Sequence, residues 1–311
     1  MARAFIFPGQ GSQAVGMGRA LAGAFPAARE VFEEVDDALA CKLTKIMWEG
    51  PMEDLTLTAN TQPALMAHSI AMLRVLETQA GLDIENAMFV AGHSLGEYSA
   101  LCAARALTLA ETAQLLRLRG EAMQAAVPAG EGAMAALIGV DLDGAQKAID
   151  AAPEGGVCEI ANDNAPGQVV ISGDKARVEA VCAGAKVFGA KLAKLLPVSA
   201  PFHSSVMAPA AEKMQAALAR ATINAPATPL VANVTAREAI SPDEIRQLLV
   251  RQVTGRVRWT ESVGYMAENG CETFVEIGSG KVLAGLVKRI AKDATTISLG
   301  EPGDIDAYLA L

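Results

Sequence analysis

The stretch Gly92-His93-Ser94-Leu95-Gly96 sets a serine between two glycines, a spacing suited to nucleophilic attack on a carbonyl. Residues 87–91 (AMFVA) read as a short buried strand and residues 95–105 (LGEYSALCAAR) as a helix. A serine on a sharp strand-to-helix turn has its hydroxyl pushed out of the packed layer, and small neighbours relieve the crowding. The new helix also points free backbone N–H groups at whatever sits above that hydroxyl. Ser94 is the candidate nucleophile.

A serine hydroxyl attacks weakly until a base takes its proton, and the chain has three histidines. His93 neighbours Ser94, so its side chain is expected to point elsewhere and frame the turn. His68 lies inside a helical stretch (ALMAHSIAML) and reads as a core or surface histidine. His203 follows a predicted strand in Ser199-Ala200-Pro201-Phe202-His203-Ser204, where Pro201 blocks regular pairing. Loops at strand ends commonly carry catalytic groups, which makes His203 the candidate base. A third group should hold the imidazole in one tautomer. No Asp or Glu stands out for that task, and a backbone carbonyl would serve.

Residues 111–126 read as an amphipathic helix with Leu115, Leu116, Leu118, Ala122 and Met123 on its apolar side. Gln114, Arg117, Glu121 and Gln124 fall on the other side, with Arg117 placed to pair with Glu121 four residues on. Arg119 breaks the pattern by falling in the middle of the apolar side. A buried guanidinium is costly unless it meets an anion. Two readings follow: an internal ion pair, or a fork for a substrate carboxylate bound by two parallel hydrogen bonds. Beside a nucleophilic serine, the second implies an acyl substrate with a free acid at its far end.

The elements that must carry these groups alternate strand and helix. Residues 3–7 (RAFIF) read as the first strand, ending in the glycine-rich loop 8–13, whose spacing is not that of a dinucleotide fingerprint. A helix is expected over 63–79, further strands near 229–234 and 273–277, and a last helix over 282–291. Gly278-Ser279-Gly280-Lys281 lacks the first glycine and the Ser/Thr of a phosphate loop, and reads as a plain strand-helix turn. Between about 130 and 198 the order is strand (133–140), helix (143–152), strands (157–161 and 168–172) about the turn 164–167, helix (174–188) and strand (191–198). That order is ferredoxin-like. The expected fold is α/β: a main domain over 1–128 and 199–311 carrying an inserted α+β subdomain over 129–198.

The chain has 311 residues, 51% hydrophobic and 4% aromatic, enough for a sizeable core of small aliphatic side chains. A formal net charge of -9 without a Lys/Arg block argues against nucleic acid as a partner. The five cysteines form no Cys-x-x-Cys site and read as buried thiols of a reducing cytoplasm, with no metal site expected. The apolar start is broken by Pro8-Gly9, so no signal peptide is expected. No apolar run approaches the ~20 residues of a membrane helix.

Taken together, these motifs resemble the malonyl-CoA:acyl carrier protein transacylases of bacterial type II fatty acid synthesis, and the acyltransferase domains of polyketide synthases. The matching segments are Phe7-Pro8-Gly9-Gln10-Gly11-Ser12-Gln13, Thr61-Gln62-Pro63-Ala64, Gly92 to Glu97, Arg119-Gly120, Asn164 to Gln168, Ala200-Pro201-Phe202-His203 and Gly278 to Leu283. They span nearly the whole chain in order.

The resemblance implies an α/β-hydrolase-like main domain with the ferredoxin-like insertion. It implies malonyl transfer from coenzyme A to the phosphopantetheine thiol of acyl carrier protein through a malonyl-Ser94 ester. His203 would be the base, and the N–H groups of Gln10 and Leu95 the oxyanion hole. Arg119 would grip the free carboxylate, Gln62 shape the pocket, Phe202 limit bulk, and a main-chain carbonyl near Gln252 orient the histidine. No cofactor is implied beyond the coenzyme A thioester as substrate, and a cytoplasmic monomer is expected. Lys191, Lys194, Lys288 and Arg289 are candidates for a basic rim facing the acidic carrier protein. Three rivals remain: a serine esterase or thioesterase, a malonyl transferase of a polyketide or malonate-degrading pathway, and an inactive carrier-binding scaffold. Arg119 argues against a simple esterase, whose substrate has no far carboxylate. The intact set of Ser94, His203 and Arg119 argues against the scaffold.

Overall fold

Residues 3–7 alternate between two cores, with Phe5 and Phe7 in one and Ala4 and Ile6 in the other. They form the first of the strands, which in chain order are β1 (Arg3–Phe7), β2 (Phe89–Gly92), β3 (Gly132–Ile138), β4 (Cys158–Ala165), β5 (Gln168–Asp174), β6 (Leu192–Leu195), β7 (Leu230–Ala232), β8 (Arg237–Ala239), β9 (Val257–Arg258), β10 (Thr273–Ile277) and β11 (Thr295–Leu299). The computed structural model describes residues 2–198 and 200–310. Met1, Leu311 and Ser199, the expected start of the second main segment, lie outside the described residues.

The larger sheet has the order β11-β10-β1-β2-β7-β8, parallel throughout except for β8 at the edge. Parallel strands need cover on both faces, and the alternation of β1 recurs in its neighbours. Val90, Leu230, Ala232, Val275 and Ile277 face the core formed with the helices Thr58–Ala80, Gly96–Ala103 and Leu109–Ala125. Phe89, Ala91, Val231 and Phe274 face the core formed with Trp259–Glu268 and Val282–Ile290. Each fully buried Phe, Ile or Val on these strands contributes about 2 kcal/mol relative to exposure.

The helix Thr58–Ala80 starts five residues before the expected 63, with Pro63 inside it. Pro63 lacks only the N–H that would bond the carbonyl of Ala59, near an end where carbonyl and amide partners are already irregular. From Thr61 to Leu73 every residue of this helix is buried, so polar Gln62, His68 and Ser69 lie inside the molecule. His68 is a core histidine, its Nε2 2.8 Å from the Gly300 carbonyl.

The second sheet has the order β6-β3-β5-β4-β9. Its first four strands pair antiparallel and, with helices Leu142–Ala151 and Lys175–Gly184, enclose their own core. β4 runs on to Ala165, which shortens the expected turn to Pro166-Gly167, with Gly167 at φ 72. The expected helix 174–188 ends at Gly184 and continues as a 3-10 turn to Phe188, in keeping with the poor helix propensity of glycine. β9 comes from the later part of the chain and pairs parallel with β4, tying the two sheets together.

Cys102, Cys158 and Cys271 are buried, but Cys41 is exposed in the turn after the helix Pro26–Ala38, and Cys182 is half-buried. Among the described residues no helix is long and apolar enough to cross a membrane.

Candidate active site

Ser94 caps the end of β2, where the chain turns sharply into the helix Gly96–Ala103. Its φ is 55, in the left-handed region that costs a non-glycine residue about 1–3 kcal/mol. The turn closes so tightly that a Cβ on Gly92 would lie 1.9 Å from the Gly96 carbonyl oxygen, and one on Gly96 2.2 Å from that of Phe7. Only glycine fits at either place. The strained serine is held from below, since its backbone N–H donates to Asn233 Oδ1 at 2.8 Å while Asn233 Nδ2 donates to the Gly92 carbonyl at 2.7 Å.

His203 reaches Ser94 from the loop after the second sheet, with Nε2 2.7 Å from Ser94 Oγ. Its Nδ1 lies 2.9 Å from the carbonyl of Gln252 and 3.1 Å from that of Gly255. Two carbonyl acceptors require the proton to be on Nδ1, leaving Nε2 free to accept from the serine hydroxyl. Burial, then the charge of Arg119 and the neighbouring His93, push the imidazole down to about 3, against the two carbonyls. His203 is therefore neutral at physiological pH. Its loop is clamped by Glu159 of β4, whose carboxylate accepts from both the N–H and the hydroxyl of Ser205 at 2.7 Å.

Arg119 is 1% exposed on the helix Leu109–Ala125, as its place on the apolar side requires. It makes no ion pair among the described residues. Instead Nη1 donates to Gln62 Oε1 at 2.7 Å, and Nη2 to Gln252 Oε1 at 2.8 Å and to Ser94 Oγ at 3.2 Å. Its Nε–H is buried without a partner. The guanidinium also stands 5.7 Å from the centre of the Tyr98 ring. One face of the fork is thus held by neutral amides, which leaves its charge uncompensated by contact. Arg117 does not pair with Glu121 as its spacing suggested. It donates to Asn60 Oδ1 on the adjacent helix, which offers a closer, fixed acceptor.

A cavity of about 480 Å³ opens above Ser94 and His203. The main body supplies Gln10, Gly11, Met52 and His93 to its wall, and the second sheet with its following loop supplies Met134, Asn162, Asn164, Leu196 and Phe202. Gln10 is held by the Thr58 hydroxyl, which donates to its Oε1. Among the described residues, neither the Gln10 nor the Leu95 N–H donates to a protein acceptor. Gln62 and Arg119 both lie off this wall, each buried at 1% exposure; Gln62 accepts from Arg119, which reaches the cavity through its contact with Ser94 Oγ. His93 does face the cavity, but its Nε2–H is taken by Asn164 Oδ1 at 2.8 Å, away from Ser94.

Sequence reasoning missed several members of this arrangement. Glu97 is fully buried, with Oε2 accepting from the Asn233 N–H at 2.9 Å and from Gln252 Nε2 at 3.1 Å. Gln252 Nε2 also donates to the Ser94 carbonyl at 2.9 Å. Glu97 carried the same signal as Arg119, an ionisable group in an apolar helix, and Asn233 ends an apolar strand. The Gly255 carbonyl carried no signal.

A serine at a strand-helix elbow, a neutral imidazole on its hydroxyl and a buried guanidinium beside them form a serine acyl transferase centre in outline. Residues 4–300 match the acyl transferase domain, and the chain belongs to that family. It is 47% identical over 308 residues to the malonyl CoA-acyl carrier protein transacylase of Escherichia coli (strain K12), covering 99% of each chain. The acyl-carrier-protein S-malonyltransferase structure from Bartonella henselae is 56% identical, with a TM-score of 0.97 over 100% of this chain and 99% of that one. A malonyl-transacylase solved in complex with its type II PKS acyl-carrier protein is 41% identical, with a TM-score of 0.96 over 100% and 99%.

Proposed function

We propose that this protein moves a malonyl group from coenzyme A to the phosphopantetheine thiol of an acyl carrier protein, for fatty acid synthesis. One relationship carries the reading: Arg119 Nη2 and His203 Nε2 both reach Ser94 Oγ, at 3.2 and 2.7 Å. A cation for the far carboxylate and a base for the nucleophile thus meet at one atom, within the span of a three-carbon diacid. A simple ester would have no use for the first.

In the first half-reaction Ser94 Oγ attacks the thioester carbonyl and its proton passes to His203 Nε2. The N–H groups of Gln10 and Leu95 take the oxyanion, a contribution of ~3 kcal/mol per donor in comparable sites. The tetrahedral adduct then expels the coenzyme A thiolate, which takes the proton from His203 and leaves malonyl-Ser94. In the second half-reaction the carrier thiol gives its proton to His203 and attacks the ester carbonyl. The Ser94 alkoxide leaves and recovers that proton. The Gln252 carbonyl orients the imidazole throughout, and Gln62 and Gln252 aim the Arg119 fork. Phe202 limits bulk at the carbon between the two carbonyls. No cofactor enters these steps.

The fold reading that goes with this is an α/β-hydrolase-like domain over 1–128 and 199–311 with a ferredoxin-like insertion over 129–198, the substrate entering between them. The β6-β3-β5-β4 strand order and its two helices support the insertion. A monomer acting in the cytoplasm suits a substrate carried by coenzyme A. Exposed Lys191, Lys194 and Lys288 offer the carrier a basic rim, whereas Arg289 is engaged with Gln168 and the Pro166 carbonyl.

The test is intact-mass analysis after mixing with malonyl-CoA, followed by addition of carrier protein. A single malonyl adduct, absent in Ser94→Ala and passed to the carrier faster than free malonate appears, is expected. Dominant release of free malonate would make the protein a thioesterase, and no adduct at all would make it a scaffold.

A further inference from the structure

Glu97 takes no part in the steps above, yet it stands directly behind all of them. It has no exposed surface, and its Oε1 is buried without a partner. Its Oε2 accepts from Gln252 Nε2 at 3.1 Å, while Gln252 Oε1 accepts from Arg119 Nη2 at 2.8 Å. A single amide therefore joins the carboxylate to the guanidinium. Among the described residues Arg119 has no carboxylate in contact, and a buried guanidinium requires a counter-charge.

We infer that Glu97 is the resident counter-anion of Arg119 before substrate binds, and that it takes up a proton when the malonyl carboxylate occupies Arg119. The inference rests on the malonyl reading of the site. Once a second carboxylate touches the fork directly, two anions share one buried cation. The resident acid is the one that yields, because one of its oxygens has no donor to support a charge. Its balance is simple: the Glu97 carboxylate and one solvent proton become a carboxylic acid, with no change in the acyl transfer itself.

The surroundings agree. Burial raises the Glu97 carboxyl to about 7, opposed by its two hydrogen bonds and, in smaller part, by the charge of Arg119. Cancelling that charge raises it further. Arg119 is the charged group of the packed helices that acts on it, since Arg74 and Glu77 meet the same helix at its far end, by Cys102. Tyr98 is held protonated, and His93, His203 and the more distant His68 are held neutral, by burial.

The experiment follows proton uptake with an indicator dye in weak buffer at about pH 8, where Glu97 starts mostly ionised, during one complete round of Ser94 loading by malonyl-CoA. Intact mass measures the loading in parallel. Net proton uptake that rises in step with malonyl-Ser94, up to one proton per adduct, is expected, falling to background in Glu97→Gln. Difference infrared spectra of the unsubstituted protein should gain a buried carboxylic-acid C=O band on loading, a readout that needs no variant. Complete loading with neither uptake nor the new band would overturn the inference while leaving malonyl transfer intact. Absence of the adduct would instead remove the reading on which it rests.

Discussion

Arg119 donates to the oxygen of Ser94 that His203 is placed to deprotonate. This contact occupies a lone pair of the Ser94 hydroxyl oxygen. The same cation makes a protonated imidazole costly, since Arg119 is the second cause of the low His203 value. On the proposed malonyl reading, a substrate carboxylate would relieve both effects, by drawing the fork toward itself and cancelling its charge. An acyl group without a far carboxylate relieves neither. On that reading, discrimination against acetyl thioesters should act on the reactivity of Ser94 as well as on binding.

Arg119→Ala tests this directly. The substitution should lower kcat/KM for malonyl-CoA by about 100- to 1,000-fold, the scale of losing two charge-assisted hydrogen bonds. Transfer from acetyl-CoA should hold or improve, because the mask on Ser94 goes with the guanidinium. Steady-state kinetics with both thioesters measure the ranking. A uniform loss on both would make Arg119 a structural residue.

The pH dependence follows from the His203 environment. A base must be neutral to act, and burial with the Arg119 charge holds this imidazole at about 3. Ser94 loading, read as kcat/KM for malonyl-CoA, should show no acid-side loss near the ordinary histidine value of 6.5, its acid limb lying well below; the inflection near 7 should instead be a fall with rising pH, set by Glu97. In Arg119→Gln that limb should move upward, toward 6.5, because one lowering cause is gone and burial remains. An unshifted limb would mean that Arg119 does not act on the base.

What the sequence revealed, and what it hid, has a physical pattern. Ser94 was legible because its elbow is local, with two glycines dictated by contacts of 1.9 and 2.2 Å. Arg119 was legible because it violates a helical period. The orienting group of His203 was not, since any residue offers a carbonyl, and only the fold brings those of Gln252 and Gly255 to Nδ1. The two-residue strand β9 was invisible for a similar reason: its pairing with β4 joins residues far apart in the chain, with no pattern of its own. Glu97 was legible in principle by the Arg119 argument. Its link to Arg119 was not, because it runs through the uncharged side chain of Gln252.

Phe202 closes the cavity beside the base and is 8% exposed. A methyl branch between the two carbonyls would press toward that ring. Phe202→Ala should raise kcat/KM for methylmalonyl-CoA relative to malonyl-CoA by about tenfold, the lower end of what one methylene is worth in a fitted pocket. Competition between the two thioesters for Ser94, read by intact mass, gives the ratio. An unchanged ratio would put the limit on bulk elsewhere in the wall.

Glu97 also sets a pH dependence of stability, with a sign opposite to that of the buried histidines. Its carboxyl is raised from 4.5 to about 7 in the folded chain. Below the unfolded value both states hold the proton and nothing is lost. As pH rises toward 7 the unfolded chain ionises first, so the folded state loses ground, and the loss is complete above the folded value. Its size is about 3 kcal/mol at the usual energy per pK unit. The histidines His68, His93 and His203, all lowered, act the other way, losing stability as pH falls below 6.5. Comparing the protein with Glu97→Gln cancels the histidines, which both forms share. The stability difference, measured by urea unfolding from pH 5 to 8, should drift by about 2–3 kcal/mol in favour of the variant with rising pH. A flat difference would mean that Glu97 ionises as easily inside the fold as outside it, and that the Asn233 and Gln252 contacts fully offset its burial.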